Sequence, residues 1–310
     1  MRTSTRPTPC ARERGCEMSG NCPHCGYPVL AGETFCEECG RALQVGAPGA
    51  CAACGAAAID AEGYCERCGL RQPTARDHAE VEAGRAAGVS DRGKRHSRNE
   101  DAMALLAVDA EVVAGIVCDG VSSSPRPDDG SLAAAEAGAA TLVKELRGGT
   151  GPVEATRAAV ARAAEAIAVL GTLHDAPACT FVSAVVGRGR VTIGWVGDSR
   201  AYWLGATPAR LTLDDATESG MLTAWLGADA GEVIPQVRTF EPDGPGVVLV
   251  CSDGLWGYLP APEDMARAAQ DAARAPLATA QALVRLANDA GGRDNITVLV
   301  IPFEKGSTPK

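Results

Sequence analysis

The chain has 310 residues, 46% of them hydrophobic, and a formal net charge of −10. That is enough apolar material for a buried core in one large domain or two smaller ones. The acidic balance argues against broad nucleic-acid binding, and no apolar run reaches the ~18 residues of a membrane span.

Residues 1–21 are rich in Arg, Pro and Thr and carry no apolar signal core. They are expected to be a disordered lead, with Met18 as an alternative start. The expected location is the cytoplasm, where thiols stay reduced, so the 13 cysteines are not expected to form disulfides. Abundant Ala, Gly and Arg with few Lys fits a GC-rich bacterial genome.

Two cysteine clusters follow. Residues 22–39 read CPHCGYPVLAGETFCEEC and residues 51–68 read CAACGAAAIDAEGYCERC, each a CxxC, ten residues and a second CxxC, repeated at a period of 29. A CxxC turn aims two thiolates at one metal, and the glycines at 26, 40, 55 and 69 permit the tight backbone. Cys22, Cys25, Cys36 and Cys39 make one candidate tetrahedral Zn²⁺ site, and Cys51, Cys54, Cys65 and Cys68 a second. Redox dithiols would need a strand–helix context that is missing here. Each unit is too small for a core, so the metal is expected to supply its folding energy. His24 is expected in a loop rather than on the metal. The pair, over 22–69, resembles a double zinc ribbon.

Residues 70–88 are polar and small with no sustained apolar face, and read as a linker in which His78 is simply solvated. From 89 to 304 the chain reads as one catalytic domain. Apolar, β-branched runs at 112–119, 180–187, 190–198, 201–204, 246–253 and 295–303 predict strands. Ala/Leu/Glu segments at 131–147, 153–170, 262–273 and 276–290 predict helices, in two sequential pairs. Consecutive strands and paired helices predict an α+β fold of antiparallel sheets with helices layered outside. Cys118, Cys179 and Cys251 lie in or beside apolar runs and read as buried small residues.

The acids fall at the ends of these elements. Glu100 and Asp101 precede a strand; Asp119, Asp198 and Asp253 end strands; Asp294 opens the last one. One such Asp is ordinarily a turn residue. Several at the mouths of buried strands would repel one another unless they hold hard cations, and oxygen ligands favour Mg²⁺ or Mn²⁺ over zinc.

With these residues placed, the chain resembles the metal-dependent protein Ser/Thr phosphatases of type 2C. The resemblance rests on NEDA (99–102), CDGV (118–121), GDSRAY (197–202), CSDGLWGYL (251–259) and GGRDNITVLV (291–300), and covers about 89–303. It implies two antiparallel β-sheets sandwiched between helix layers. It implies that Asp119 bridges two Mn²⁺ or Mg²⁺ ions, that the Gly120 carbonyl binds one, and that Asp253 and Asp294 hold the other. It further implies that Glu100 and Asp101 act through metal-bound water, that Asp198 binds a weaker third ion, and that Asn295 steadies the Asp294 loop. The implied chemistry is attack on phosphorus by a hydroxide activated between two cations, with no cysteine or serine nucleophile.

Two departures stand out. Where the family commonly has a phosphate-gripping arginine, four residues before the first acid, this chain has His96. Arg95 and Arg98 flank it as the other candidate substrate-binding residues, though strand alternation would send them to the opposite face. Segment 211–230, after GDSRAYWL, is a compressed version of the family's flap. The resulting expectation is a bacterial phosphoprotein phosphatase, monomeric, acting on phosphoserine and phosphothreonine of proteins such as Ser/Thr kinases or their targets. The ribbons would be a docking or regulatory module. The rival is a pseudophosphatase scaffold working through the ribbons, which loss of Asp119, Asp253 or Asp294 would have favoured.

Overall fold

The computed structural model describes residues 18–21, 28–30, 50–60, 63–172 and 175–305. The candidate ligands Cys22, Cys25, Cys36 and Cys39 lie outside them. The chain forms two compact units, 1–73 and 74–310.

In the first unit, β1 (Met18–Asn21) pairs antiparallel with β2 (Pro28–Leu30). The expected disordered lead of 1–21 therefore overlaps a strand at its last four residues. Around the second cysteine cluster the backbone turns twice through left-handed glycines, Gly55 at φ +71° and Gly69 at φ +72°. Each glycine N–H bonds back to a cysteine carbonyl, Gly55 to Cys51 at 2.9 Å and Gly69 to Cys65 at 2.7 Å. A side chain at either position would be strained, which is the local reason for glycine after each CxxC.

The second unit opens with β3 (His78–Ala83) and β4 (Ala86–Asp91), an antiparallel hairpin. This corrects the linker expected at 70–88. Its first residues belong to the second cysteine cluster: Gln72 N–H donates to the Gly63 carbonyl at 2.7 Å and its Nε2 to the Cys51 sulfur at 3.4 Å. Beyond them, Ala75–Asp77 form a single 3₁₀ turn, and His78–Ala83 and the start of β4 from Ala86 are sheet. The strand was hidden because its buried side chains are tiny. Ala86 and Ala87 are 2% and 1% exposed, and a Cβ on Gly88 would come within 2.3 Å of Leu299. Alanine and glycine carry little apolar signal, yet only they fit against the bulky neighbouring strand. His78 is likewise paired, its Nδ1 2.7 Å from Asp91 and its Nε2 3.2 Å from Glu80.

The chain continues through β5 (Ala102–Ala107), β6 (Val113–Cys118), α1 (Pro127–Arg147), α2 (Pro152–Ala168), β7 (Ala178–Cys179), β8 (Phe181–Gly187), β9 (Arg190–Val196), β10 (Arg200–Leu204), β11 (Ala209–Arg210), β12 (Leu226–Gly227), β13 (Gln236–Phe240), β14 (Gly246–Cys251), α3 (Asp253–Trp256), α4 (Pro262–Ala268), α5 (Pro276–Asp289) and β15 (Ile296–Phe303). A six-stranded antiparallel sheet has the order β11-β10-β14-β15-β4-β3, and a five-stranded one β13-β9-β8-β6-β5. β13 was not anticipated; it is an edge strand, QVRTF, with no buried residue to announce it.

The two sheets pack face to face. Val182, Ala184, Ile193 and Trp195 of one meet Val248, Val250, Leu299 and Ile301 of the other. Helices α1 and α2 cover the outer face of the five-stranded sheet, and α4 and α5 that of the six-stranded sheet. With both faces covered, β6, β8, β14 and β15 read as continuous apolar runs rather than alternating ones. Proline stands at the start of α1, α2, α4 and α5, where its missing N–H is unneeded. Helix α1 begins four residues before the sequence pattern suggests, because Asp128 and Asp129, which look like a turn, sit in its first turn and favour the dipole there. Trp195 is fully buried in the middle layer, and truncating such a side chain costs about 3–5 kcal/mol. The sandwich is thus a rigid platform whose strand ends hold the acids.

Candidate active site and metal centres

The acids converge. Asp119, Asp198, Asp253 and Asp294 line one cavity of about 630 Å³. Asp101, 3% exposed, adjoins Asp119, and Glu100 is 9% exposed beside it. Each is set by its own element. Asp119 follows β6, and its backbone exchanges bonds with Thr180: Asp119 N–H to Thr180 Oγ1 at 3.1 Å and Thr180 N–H to the Asp119 carbonyl at 2.8 Å. Asp198 follows the turn at Gly197, φ +100°, where a Cβ would press within 2.7 Å of Thr180. Asp253 opens α3, and a Cβ on the next residue, Gly254, would overlap the Asn295 carbonyl at 1.9 Å. Gly120 is equally closed in, by the Glu100 and Pro127 carbonyls at 2.6 and 2.7 Å.

The electrostatics are those of a cation site. Burial, then the neighbouring Asp101, Asp253, Asp198 and Asp294, hold the Asp119 carboxyl well above the usual range. Burial and Asp294 push Asp253 up to about 7. Burial likewise raises Asp101 to about 6, against the opposing hydrogen bonds of Thr297 and Ser252. Asp198 is raised by burial and by Asp214. One atom is orphaned outright: Asp101 Oδ1 is buried without a hydrogen-bond partner. Crowded carboxylates with an unfilled inner oxygen fit hard divalent cations, which would replace protons as the neutralising charge.

The opening loop, 92–100, is a turn and bends rather than a strand, so strand alternation does not apply to its side chains. His96 sits between two of the acids, Nε2 3.1 Å from Asp294 and Nδ1 3.7 Å from Glu100. Arg98 is drawn to α1, its Nη1 2.9 Å from Asp128. Arg95 is exposed. Asn295 fastens this loop: its Nδ2 donates to the Arg92 and Arg98 carbonyls at 2.8 and 3.0 Å, and its Oδ1 accepts from Glu100 N–H at 2.7 Å. Beyond Asp294, Asn295 therefore holds the acid pair in place.

Several supporting residues had no role until the fold assembled them: Ser252, Trp256 and Arg200 stand inside the quoted motifs, Ser122 and Asp214 outside them. Ser252 Oγ donates to Asp101 Oδ2 at 2.7 Å, and Ser122 Oγ to Glu100 Oε2 at 2.5 Å. The indole of Trp256 donates to the Asp198 carbonyl at 3.0 Å. That ring carries the Arg200 guanidinium 3.5 Å from its centroid, and Asp214 grips the guanidinium with both oxygens, at 3.0 and 2.7 Å. The compressed segment walls the same cavity through Met221, Leu222, Trp225 and Asp229. Cys118 and Cys251 are fully buried, and burial pushes both thiols up, so they remain protonated packing groups.

In the other unit, the ligand atoms of Cys51, Cys54, Cys65 and Cys68 all lie within 4.8 Å of one another. Two Sγ pairs, Cys51–Cys68 and Cys54–Cys65, are 3.6 Å apart, close to the ~3.8 Å edge that a tetrahedron of 2.3 Å Zn–S bonds demands. Backbone N–H groups of Cys54 and Ala53 and the Gln72 amide lower the Cys51 thiol to about 6, while burial and the neighbouring sulfurs raise Cys54 and Cys68.

A strand-mouth aspartate cluster on a double antiparallel sandwich defines a class, and comparison with known proteins gives the family. The protein phosphatase 2C model matches residues 90–288, and the chain belongs to that family. The double zinc ribbon model matches residues 22–69. A serine/threonine phosphatase from S. agalactiae is 20% identical, with a TM-score of 0.59 over 73% of this chain and 100% of its own. The PPM Ser-Thr phosphatase MsPP from Mycobacterium smegmatis, in complex with cacodylate, is 28% identical, with a TM-score of 0.55 over 70% of this chain and 97% of its own. The catalytic domain of the serine/threonine protein phosphatase PstP, in complex with two manganese ions, is 25% identical, with a TM-score of 0.53 over 71% and 98%. No curated protein matches the chain. Among the described residues no helix is long and apolar enough to cross a membrane.

Proposed function

We propose that the chain is a phosphoprotein phosphatase that hydrolyses phosphoserine and phosphothreonine with Mn²⁺ or Mg²⁺, and that its double ribbon holds two Zn²⁺ and serves docking or regulation. The observation that carries the first part is the convergence of Asp119, Asp198, Asp253 and Asp294 on one cavity, beside a buried Asp101 with an orphaned inner oxygen. Asp119, Asp253, Asp294 and the Gly120 carbonyl would hold two cations, and Asp198 a third. When bound, these ions supply the positive charge that draws in phosphoryl oxygens and acidifies a water for in-line attack. The chain's own residues keep the ligands aimed. Ser252 orients Asp101, Ser122 orients Glu100, and Asn295 ties the acid loop to Asp294. Trp256 and Arg200 brace the Asp198 turn. Glu100 and Asp101 act as acceptors that order solvent in the cavity. His96, beside Asp294 and Glu100, would meet the phosphoryl group, with Arg98 anchoring the loop through Asp128. The domain division supporting this reading is the ribbon at 22–69 and the catalytic unit from Thr74 onward.

The test is hydrolysis of a phosphothreonine peptide with each cation by wild type and by Asp119→Asn. Turnover should fall by about a thousandfold, the scale of losing a central electrostatic element. Full activity in excess EDTA, or near-wild-type turnover of the variant, would overturn the reading. Elemental analysis of reduced protein should give two zinc ions per chain.

A further inference from the structure

The cations around the cleft fall into two groups. Arg92, Arg98 and Arg200 are occupied, by Asp77, Asp128 and Asp214. Lys94, Arg95 and Arg293 are exposed, and among the described residues none of their side chains enters an ion pair or hydrogen bond. These three are brought together by two interlocked loops. Lys94 N–H donates to the Gly292 carbonyl at 2.9 Å. Gly93 is pressed so close to the Asp294 carbonyl that a Cβ would lie 2.1 Å from it. The Lys94 stem lies over Gly292, whose Cβ would meet its Cγ at 3.0 Å. On the other side, Arg293 N–H donates to the Tyr258 hydroxyl at 3.1 Å. Arg293 then lines a second cavity, of about 450 Å³, with Gly257, Tyr258, Asp253 and Asp294. Asp253 and Asp294 also line the main cleft, so the second cavity continues it past the aspartates.

We infer that Lys94, Arg95 and Arg293 form a cationic rim that binds the carboxylates flanking the phosphorylated residue of a phosphopeptide substrate. This rests on the phosphatase reading of the cleft and adds a sequence preference to it. The charge argument is direct. A chain of net charge −10 repels anionic substrates at a distance even with its cleft acids neutralised by cations, and three cations unpaired among the described residues offset that repulsion locally. The geometry agrees. An extended peptide advances about 3.3–3.6 Å per residue, so a residue one or two positions from the phosphorylated one leaves the main cleft and enters the adjoining cavity under Arg293. A fixed guanidinium suits a carboxylate there, with Lys94 as a mobile second charge.

The experiment compares two phosphothreonine peptides, one flanked by aspartates and one by alanines, together with a small aryl phosphate. Wild type should favour the acidic peptide in kcat/KM by about fivefold at low salt, the scale of exposed ion pairs, and added salt should erase the preference. In Lys94→Ala/Arg293→Ala the ratio of acidic to neutral peptide should fall to near one. Equal rates for both peptides with wild type overturn the inference. So does a variant that slows both peptides and the aryl phosphate in the same proportion, which would place Arg293 on the phosphoryl group itself. If wild type hydrolyses nothing, the phosphatase reading fails. Binding of the two peptides by fluorescence anisotropy then still reads the rim, with equal affinities overturning it and tighter, salt-sensitive binding of the acidic peptide supporting it.

Discussion

The cysteine cluster at 51–68 and the aspartate cluster between 101 and 294 both crowd acidic side chains together, by opposite means. The sulfurs come from an 18-residue span, shaped by two glycine turns and a few backbone bonds, with no apolar core to hold them. The carboxylates come from five separated segments, held by a sandwich that buries Trp195, Phe181 and Phe303. On the proposed reading the metal would make the fold in the first case, and in the second the fold makes the site. Losing the ion should therefore unfold one region and merely recharge the other.

The largest expected effect tests the first half of that contrast. Structural zinc contributes about 10–16 kcal/mol in small cysteine sites, more than so small a unit holds by other means. Cys65→Ser, or a strong zinc chelator, should remove amide-exchange protection across 51–72 and leave protection in β8 and β15 intact. Retained protection at Cys65 and Gly69 without zinc would break the comparison.

Next is the aspartate site stripped of manganese and magnesium. Asp253 and Asp101 are raised in the folded protein to about 7 and about 6, against an unfolded value near ~3.9. The folded state then holds more protons than the unfolded one between those limits, so stability falls as pH rises from about 4 to about 7. Below about 4 the penalty is absent, because both states are protonated. Thermal unfolding of the second unit should show this decline, and added Mn²⁺ should flatten it. A flat profile without metal would mean the carboxylates are not crowded.

A smaller effect belongs to Trp256. Trp256→Phe keeps the ring under Arg200 but loses the bond to the Asp198 carbonyl, a net loss of about 1 kcal/mol. The Mn²⁺ concentration for half-maximal activity should rise about fivefold, with turnover at saturating metal little changed. A fall in turnover with unchanged metal dependence would contradict a positioning role. The smallest effect is at His78, raised by its bond to Asp91 and half exposed. Its contribution should be complete below about 6.5 and vanish as pH rises through the raised folded value. His78→Gln should cost under about 1 kcal/mol at pH 6 and nothing near pH 9, measured by denaturant midpoint.

Much of this protein is legible from its sequence because the signals are local. Spacing alone picks out the cysteine knuckles at 51–68 that the structure gathers, since the turn that joins two of their sulfurs lies within four residues. Long apolar runs mark β6, β8, β14 and β15 because both faces of those strands are covered. The acids at strand mouths could be picked out one by one, though not shown to meet.

Where signals were weak or distant, tertiary structure decided. The hairpin at 78–91 reads as a linker because Ala86, Ala87 and Gly88 carry almost no apolar character; only the bulk of Leu299 opposite makes their smallness necessary. The loop at 92–100 resembles a strand end until Asn295, almost two hundred residues later, ties its carbonyls down and turns Arg98 to Asp128 and His96 to Asp294. Ser252, Trp256 and Arg200 are unremarkable letters until β14, β10 and the Asp198 turn lie side by side. Local chemistry, such as a turn, a cap or a cysteine knuckle, acts over a few residues and is written in their order. The raised carboxyls of Asp119 and Asp253 exist only because packing holds distant charges together in a space with little water, and only the folded chain creates that space.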